Sequence, residues 1–543
     1  MRRSFIAIAA IALTASVTAP TAAGHPGDPL ASASNVQHVD HDGNFTGGHV
    51  VRQGDRLYVG AYGLGLQIFS IADTAPDPND GPTNPRLIGR YMPGRVVADA
   101  PPDAAVFDGR HIAVLNGTGR TSRNLPPGVT RTDNSYFIDA TDPTSPKLLW
   151  TFEGAHDGEA HNGDIVDERR LWLPSGGRNL TEGGTAGKNG LRIYDLNPLL
   201  EQPAQKPAVL FRGDPVELWR DSPHRAGRDV GPAWDHTHDV TVYPDFRGSG
   251  RDIALLVEGG AYTNDAGNTG SLFVIDITDP RQPVVLNRWR HESGHGHKPI
   301  RYFHEAQFLD GDQSVVLVSD EDLHNGCDAG GVTALRVSDD LTRVESELSQ
   351  WFIGADGDFA PICSVHVFST HGNLAFFGSY NAGLQVVDYS DPTRPRRVGH
   401  AVETGSDAWG AEYFEDGLVY VGDFGGRGLD TFRYVGPRPD LSIQSSDISF
   451  VRRSGGRVEI RAVVRNLGRV GAPPVAAEFE TGMGALPTRV GVPAIPAGGA
   501  ATISTDASAP AFAQADQVTV TVDVDDRVDE SDETNNRATR QRK

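Results

Sequence analysis

The residues best suited to chemistry are histidines that recur at one position of a repeated strand pattern. Three copies of the pattern begin at His161, His238 and His304, and in each copy two apolar residues follow four and five positions later. Weaker copies begin at Thr46, Pro102, Cys363 and Trp409. Because three consecutive copies carry an imidazole at the same point, we expect the three rings to converge.

Imidazole nitrogens bind zinc and copper, and three histidines that leave a fourth position open are a usual arrangement for catalytic zinc. Additional histidines precede the same strands. The pattern predicts a zinc or copper site formed from His161, His238, His304, His236, His156 and His297. The competing interpretation is a set of polar residues that cap the strands and bond one another through water, without a metal.

Two further sets of polar residues accompany the predicted site. The residue after each histidine is expected to orient the ring, as metal-bound histidines usually require; these residues are Asn162, Asp239 and Glu305. A second polar layer is predicted three positions further along the strands, with His49, Asp164, His366 and Glu412. The acidic segment 320–324 could supply a general base beside a metal, and a solvated loop is the simpler interpretation.

The strands that must position these residues belong to a long repeat array, from about residue 35 to residue 436. Each unit has an apolar run as its third strand, and an Asp-Pro-x-x-Pro turn follows several of these runs. With 63 glycines, 36 prolines and only three methionines, the composition favours short strands and turns. Seven four-stranded units predict an all-β chain that begins with a seven-bladed β-propeller. Residues 36–43 are expected to complete the seventh blade.

The apolar runs and their turns resemble the LVIVD repeat of bacterial and archaeal secreted or surface propellers, most clearly at Leu272–Pro283 and Leu384–Pro395. This resemblance implies a propeller fold and an extracellular setting, and it supplies no agreed activity. The use of histidines on a propeller is also similar in outline to the selenium-binding and methanethiol oxidase proteins, which use copper.

Residues 437–543 are predicted to form a second domain after the stiff segment 436–439. Pro439-Asp440-Leu441 and Glu533–Asn536 resemble the start and end of the bacterial cell-adhesion-related domain, CARDB. The resemblance implies a small immunoglobulin-like β-sandwich and a role in adhesion. Five carboxylates near its end predict either a Ca²⁺ site or a solvated acidic hairpin; they are Asp523, Asp525, Asp526, Asp529 and Glu530.

Residues 1–24 have the features of a signal peptide. Arg2 and Arg3 precede an apolar run, and small residues follow at 21–23. We expect a secreted chain, extracellular or periplasmic and associated with the cell surface, with no membrane insertion after cleavage. In such a compartment the two cysteines, Cys327 and Cys363, most simply form one disulfide, and a cysteine-containing metal site is the alternative.

Three functions remain open from the sequence. The first is extracellular recognition or adhesion, with a protein or glycan of the cell surface as the partner. The second is a zinc- or copper-dependent enzyme that uses the predicted histidine site. The third is periplasmic or extracellular metal storage, which would use the same residues without turnover. The formal net charge of −22 disfavours nucleic acid and anionic membranes as partners, because both repel an acidic surface.

Overall fold

The structure is a computed structural model. It describes residues 32–43, 45–72, 85–93, 102–117, 134–153, 160–175, 190–225, 237–259, 270–291, 300, 302–323, 325–355, 362–414, 417–454, 457–468, 470–481, 487–507, 517–525, 527–528, 530 and 533–541. The predicted signal peptide lies outside the described residues.

Seven antiparallel sheets of the described chain form the blades of a propeller, each built from four consecutive strands in blades one to five. Blade one contains β3 (Gly47–Gln53), β4 (Arg56–Ala61), β5 (Gly65–Ser70) and β6 (Arg86–Tyr91). Blade two contains β7 (Pro102–Phe107), β8 (Arg110–Leu115), β9 (Ser135–Asp139) and β10 (Lys147–Phe152). Blade three contains β11 (Asn162–Val166), β12 (Leu171–Ser175), β13 (Leu191–Asp195) and β14 (Ala208–Gly213).

Blades four and five repeat this order. Blade four contains β15 (Thr237–Tyr243), β16 (Ile253–Glu258), β17 (Ser271–Asp276) and β18 (Val284–Trp289). Blade five contains β19 (Phe303–Leu309), β20 (Asp312–Asp320), β21 (Val332–Val337) and β22 (Val344–Trp351). A helix, α1 (Pro215–Asp221), precedes blade four, and the side chain of Asp214 caps it by accepting a hydrogen bond from the Val216 amide at 2.8 Å.

The last two blades receive strands from the start of the chain. Blade six contains β23 (Phe368–His371), β24 (Leu374–Gly378), β25 (Leu384–Asp388) and β26 (Arg396–Val402), and β1 (Ser32–Ser34) pairs with β26 as a fifth strand. Blade seven contains β27 (Ala408–Tyr413), β28 (Leu418–Asp423) and β29 (Gly428–Tyr434). Its outer strand is β2 (Val36–Asp42), paired with β29. The prediction that residues 36–43 complete the seventh blade is confirmed.

The second domain is a sandwich of two sheets. One sheet contains β30 (Leu441–Ser442), β31 (Ile448–Arg452), β32 (Val458–Asn466) and β35 (Ala500–Ala507). The other contains β33 (Val475–Thr481), β34 (Thr488–Val492), β36 (Gln517–Val522) and β37 (Arg537–Gln541). Its core, which includes Ile460, Phe479 and Val520, contains side chains of this domain alone. The predicted fold class, a seven-bladed propeller followed by an immunoglobulin-like sandwich, is confirmed.

The propeller core lies between neighbouring blades. Phe273 and Ile275 of β17 pack with Leu173 and Ile193 of blade three, so both faces of each central strand are buried. The predicted turns join the third strand to the fourth strand within blades two, four and six: Asp142, Asp279 and Asp391 each accept a hydrogen bond from the amide two residues later, at 3.0, 3.0 and 3.1 Å.

The remaining helical segments are single 3₁₀ turns at Asp167–Arg169, Asn197–Leu200, Phe246–Gly248, Gly326–Asp328, Ile353–Ala355 and Ser445–Asp447. Within the part of the chain that the structure describes, no helix is long and apolar enough to cross a membrane. The predicted disulfide between Cys327 and Cys363 is present. It joins the β20–β21 connection to the segment that leads into β23.

Candidate metal centre

A row of buried histidines follows the upper rim of the propeller, the end at which inner strands begin and second strands end. The ring centroids of His238 and His304 are 4.1 Å apart, as are those of His304 and His366. His161 extends the row at one end, 4.8 Å from His238, and His49 extends it at the other, 5.5 Å from His366. Five of the seven blades therefore contribute a histidine to the row.

β-Bulges decide which side chains reach the row. The pairing register shifts across His49 in β3, His238 in β15 and His304 in β19, so each of these residues lies in a bulge. A bulge inserts one residue and redirects its side chain. Strand β11 has no such shift. His161 lies just before it, with its amide bonded to the Ser175 carbonyl at 2.8 Å.

This register corrects the expected layering. His49 and His366 were placed in a separate, deeper layer by sequence spacing, whereas they belong to the same row as His304. The spacing rule failed because it aligned the repeat copies residue for residue, whereas the pairing register shifts within β3, β15 and β19 and does not shift within β23. For the same reason, His161 and His238 occupy different positions relative to their neighbouring strands, although their rings are in contact.

One compact group of potential metal ligands on the rim contains His238, His304 and Glu321. Each of these residues offers one ligand atom, and the three atoms lie within 4.8 Å of one another. His238 and His304 come from the inner strands of blades four and five, and Glu321 follows β20 directly. All three side chains are buried. Two imidazoles and one carboxylate are a donor set that suits zinc and non-haem iron.

Hydrogen bonds orient two members of this group. The Nδ1 atom of His238 lies 3.1 Å from the backbone oxygen of His304, so this nitrogen donates to the carbonyl and Nε2 keeps its lone pair. The hydroxyl of Tyr380 donates to Oε1 of Glu321. The amide of Glu321 donates to the Tyr302 carbonyl at 3.0 Å. Such outer contacts are typical of metal ligands, because they fix the tautomer and the direction of the lone pair.

The predicted site residues thus fall into three groups. His238 and His304 lie in the compact group, and His161 contacts it through the ring of His238. His156, His236 and His297 lie outside the described residues. Glu321 belongs to the acidic segment that is predicted as a source of a general base beside a metal, and in the structure it lies with the two histidines as a potential ligand.

The residues that follow the histidines do not orient the rings. Asn162 donates to Asp239 at 2.9 Å, and Asp239 also accepts from the Val240 amide at 2.7 Å. Glu305 accepts from the side chain of Gln307 at 2.7 Å and from the Phe368 amide of the next blade at 2.9 Å. Their described hydrogen bonds connect inner strands to one another, which is a structural role.

A set of carboxylates lies on the inner strands of blades two, three, five and seven. Burial raises the pKa of Asp164 to about 7, although the hydrogen bond from the Val242 amide opposes the shift. Burial likewise raises the pKa of Glu305 to about 8 and the pKa of Glu412 to about 8. Burial and the charge of Asp164 raise the pKa of Asp103 well above its usual value. These carboxyl groups therefore stay protonated to a higher pH than exposed carboxyl groups do.

In the second domain, the described carboxylates of the acidic segment have protein partners. Asp523 accepts from the amides of Arg527 and Val528 at 3.0 and 2.8 Å. Asp525 pairs with Arg489, and Glu530 accepts from the Leu441 amide. Asp526 and Asp529 lie outside the described residues. Binding of Ca²⁺ by this segment stays a prediction.

Family comparisons support both domains. Residues 364–401 match the LVIVD repeat, and residues 438–540 match CARDB. No curated protein shows a significant match to the chain.

Several solved structures are similar in fold. The β-propeller domain of Cps50 (Swd1) from Myceliophteria thermophila is 12% identical with a TM-score of 0.42, and the match covers 74% of this chain and 99% of that chain. The WD40 repeats of RRP9 are 9% identical with a TM-score of 0.42, with coverage of 74% and 99%. A CARDB domain from Pyrococcus furiosus in complex with di-metal ions is 23% identical with a TM-score of 0.16, with coverage of 19% and 89%.

Proposed function

We propose that this chain, an LVIVD-repeat β-propeller with a C-terminal CARDB domain, is an exported metal-dependent enzyme centred on His238, His304 and Glu321. The observation that carries the proposal is the convergence of three buried ligand atoms within 4.8 Å, from three different strands or strand ends. Zinc is the metal that we expect, because two histidines and one glutamate with an open position are a known catalytic donor set for it. Copper is the alternative.

The proposed chemistry is attack by water on a small polar substrate at the upper rim. When bound, zinc would supply a Lewis acid and lower the pKa of a water molecule. The chain's own residues prepare the ligands. The His304 carbonyl accepts a hydrogen bond from Nδ1 of His238, which leaves the ring's lone pair on Nε2, and Tyr380 donates to one oxygen of Glu321. Removing such an outer contact typically weakens metal binding about 10- to 100-fold.

Metal content tests the proposal directly. Untagged protein is stripped with chelator, incubated with zinc or copper, freed of excess metal and analysed by elemental analysis. We expect one bound metal to disappear in a His238→Ala, His304→Ala variant and in Glu321→Ala. His224→Ala serves as the control, because His224 lies in the connection after α1. A wild-type stoichiometry that these variants leave unchanged would rule out the site.

Turnover requires a separate assay. The metal-loaded and stripped proteins are compared against a panel of esters, phosphoesters and lactones. Hydrolysis that depends on the metal and falls in Tyr380→Phe together with metal affinity would support the proposed role of Glu321. Metal binding without any turnover in the panel would favour storage or a structural use of the metal.

The export part of the proposal is supported by the CARDB match, the disulfide and the signal-like residues 1–24. Disulfides persist in oxidising compartments and are rare in reducing ones. Cell fractionation followed by N-terminal sequencing of the mature protein tests this part. Recovery in the cytosolic fraction with residue 1 intact would contradict it.

Surface recognition is the second candidate function, and the CARDB domain is the observation that favours it. Its hydrophobic core is separate from the propeller core. We expect the full chain to bind a protein or glycan of the cell surface, and a chain shortened after residue 436 to lose this binding while it keeps its metal. Equal binding by the two chains to whole cells and glycan arrays would remove the support for adhesion through this domain.

A further inference from the structure

A second cluster of buried charged groups lies where the propeller ring closes. Strand β2, from the start of the chain, carries His38 and His41 against Asp430 of β29. Glu403 follows β26 and faces the same point. The side chains of His38, Asp430 and Glu403 are only 7%, 3% and 4% exposed. Two buried carboxylates need compensation, because an uncompensated buried charge is costly.

The distances within this cluster suit a metal ion. Nε2 of His38 lies 3.0 Å from Oδ1 of Asp430 and 3.8 Å from Oε1 of Glu403. Ligand atoms about 2.0–2.2 Å from a tetrahedral zinc are separated by roughly 3.3 Å. A metal would therefore bring Oε1 of Glu403 about 0.5 Å closer to Nε2 of His38 and move Oδ1 of Asp430 about 0.3 Å away from it. The three ligand atoms lie within 4.8 Å of one another.

Arg427 contacts both carboxylates of the cluster. Its Nε atom donates to Oδ2 of Asp430 at 3.1 Å, and its Nη2 atom lies 3.5 Å from Oε2 of Glu403. The same Nη2 also contacts Oδ1 of Asp430 at 2.9 Å. This guanidinium therefore turns the other Glu403 oxygen toward His38. That oxygen, Oε1, is buried and has no hydrogen-bond partner among the described residues.

We propose that His38, Asp430 and Glu403 form a second metal site that binds zinc or a similar divalent transition metal and locks the closing strand β2 onto the last blade. The site takes two ligands from blade seven, one of them on β2, and one from the β26–β27 connection. Binding would couple the start of the chain to its last blade. Because the metal binds the closed ring and not an opened one, it stabilises closure by mass action.

A protonated histidine is the competing explanation. With both histidines neutral, the two carboxylates and Arg427 sum to one negative charge, and a proton on His38 or His41 would cancel it. His41 Nδ1 also lies 3.0 Å from Oδ1 of Asp430. Protonation and metal binding are separable, because only metal binding responds to chelators and gives a ligand-field spectrum.

The experiment uses full-length protein that lacks the rim ligands through His238→Ala and His304→Ala. Stripped protein is titrated with Co²⁺ and Zn²⁺ at pH 7.5, and the visible spectrum, the stoichiometry and the melting temperature are recorded. We expect one bound metal, Co²⁺ absorption bands typical of tetrahedral coordination, and a higher melting temperature with metal than with chelator.

Two variants of the closing cluster, His38→Gln and Glu403→Gln, keep the size of each side chain. Each should weaken the affinity at least about 100-fold, since loss of a direct ligand exceeds loss of an outer contact. His371→Gln on β23, away from β2, is the control and should bind normally. The proposal is overturned if the rim-deficient protein takes up no metal, or if the closing-cluster variants bind as it does. Because the rim and the closing cluster share no residue, failure at one site is distinguishable from failure at the other.

Discussion

Replacement of both cysteines by alanine, Cys327→Ala with Cys363→Ala, should destabilise the propeller mainly through the unfolded chain. The disulfide closes a loop over a sequence separation of 36 residues. The chain-entropy relation for such a loop gives about 4 kcal/mol at 25 °C. Both cysteines are buried, and alanine leaves no unpaired polar group in their place.

The folded arrangement around the disulfide has support besides the covalent bond. The amide of Val365 donates to the Gly330 carbonyl at 2.7 Å, and the hydroxyl of Ser364 donates to the Asp320 carbonyl at 3.1 Å. These bonds join the same two segments as the disulfide. We therefore expect the position of Glu321, and with it any metal affinity of the rim site, to change little in the variant.

Tryptophan fluorescence can follow this loss of stability in the propeller alone, because all seven tryptophans precede residue 437. Urea unfolding of the double variant is compared with that of the oxidised and the chemically reduced wild type. The reduced wild type should match the variant. If the variant's free energy of unfolding is lower than that of the oxidised wild type by less than about 1 kcal/mol, the loop-entropy reasoning is refuted. Such a result would mean that the unfolded chain gains little conformational freedom when the disulfide is removed.

Three further predictions concern the closing strand β2, a carboxyl group on the inner strand β27, and the propeller core. Burial lowers the pKa of His38, but the hydrogen bond with Asp430 and the nearby carboxylates outweigh burial, so the pKa of His38 is raised in the folded state. In metal-free protein, the contribution of His38 to stability should therefore be complete below about pH 6.5 and decline as the pH rises through the folded pKa. His38→Gln should remove this decline in pH-dependent melting curves. Because burial raises the pKa of Glu412 to about 8 from 4.5, the folded state loses stability as the pH rises from about 4.5 toward 8. Glu412→Gln should therefore stabilise the protein at pH 9 by up to about 5 kcal/mol in urea unfolding, whereas equal stability of both proteins at pH 9 would contradict the assignment. Trp172 is fully buried, and its ring lies edge-on to Phe137 at 4.9 Å and to Phe152 at 5.1 Å. Trp172→Ala should therefore lower the free energy of unfolding by about 3–5 kcal/mol, whereas Trp150→Phe at a half-buried position should lower it much less.

Repetition made most of the fold predictable from the sequence. Apolar runs such as Leu272–Asp276 and Leu384–Asp388 define the third strands, and each lies within the strand that the structure contains. The closing strand was predictable because residues 36–43 have the pattern of an outer strand and the last unit lacks one. The disulfide was predictable because the chain has only two cysteines.

The candidate metal centre was only half predictable. Spacing identified His238 and His304 as neighbours, since inner strands of adjacent blades lie side by side. It also placed His366 and His49 in the wrong layer, because it aligned the copies residue for residue. Strands β3 and β19 contain a register shift, whereas β23 has none and begins after His366. Glu321 follows β20, the second strand of blade five. Its distance from the histidines depends on where β20 ends in the folded propeller.

The sequence by itself therefore determined the number of blades, the closure of the ring and the type of chemistry available, because these depend on local patterns that repeat. Only the tertiary structure decided which imidazoles meet, which carboxylate joins them, and that Glu403 comes to lie beside a strand from the other end of the chain. Those outcomes depend on the exact pairing register of the strands and on contacts between segments that are distant in the sequence. The spacing of residues along one strand determines neither of them.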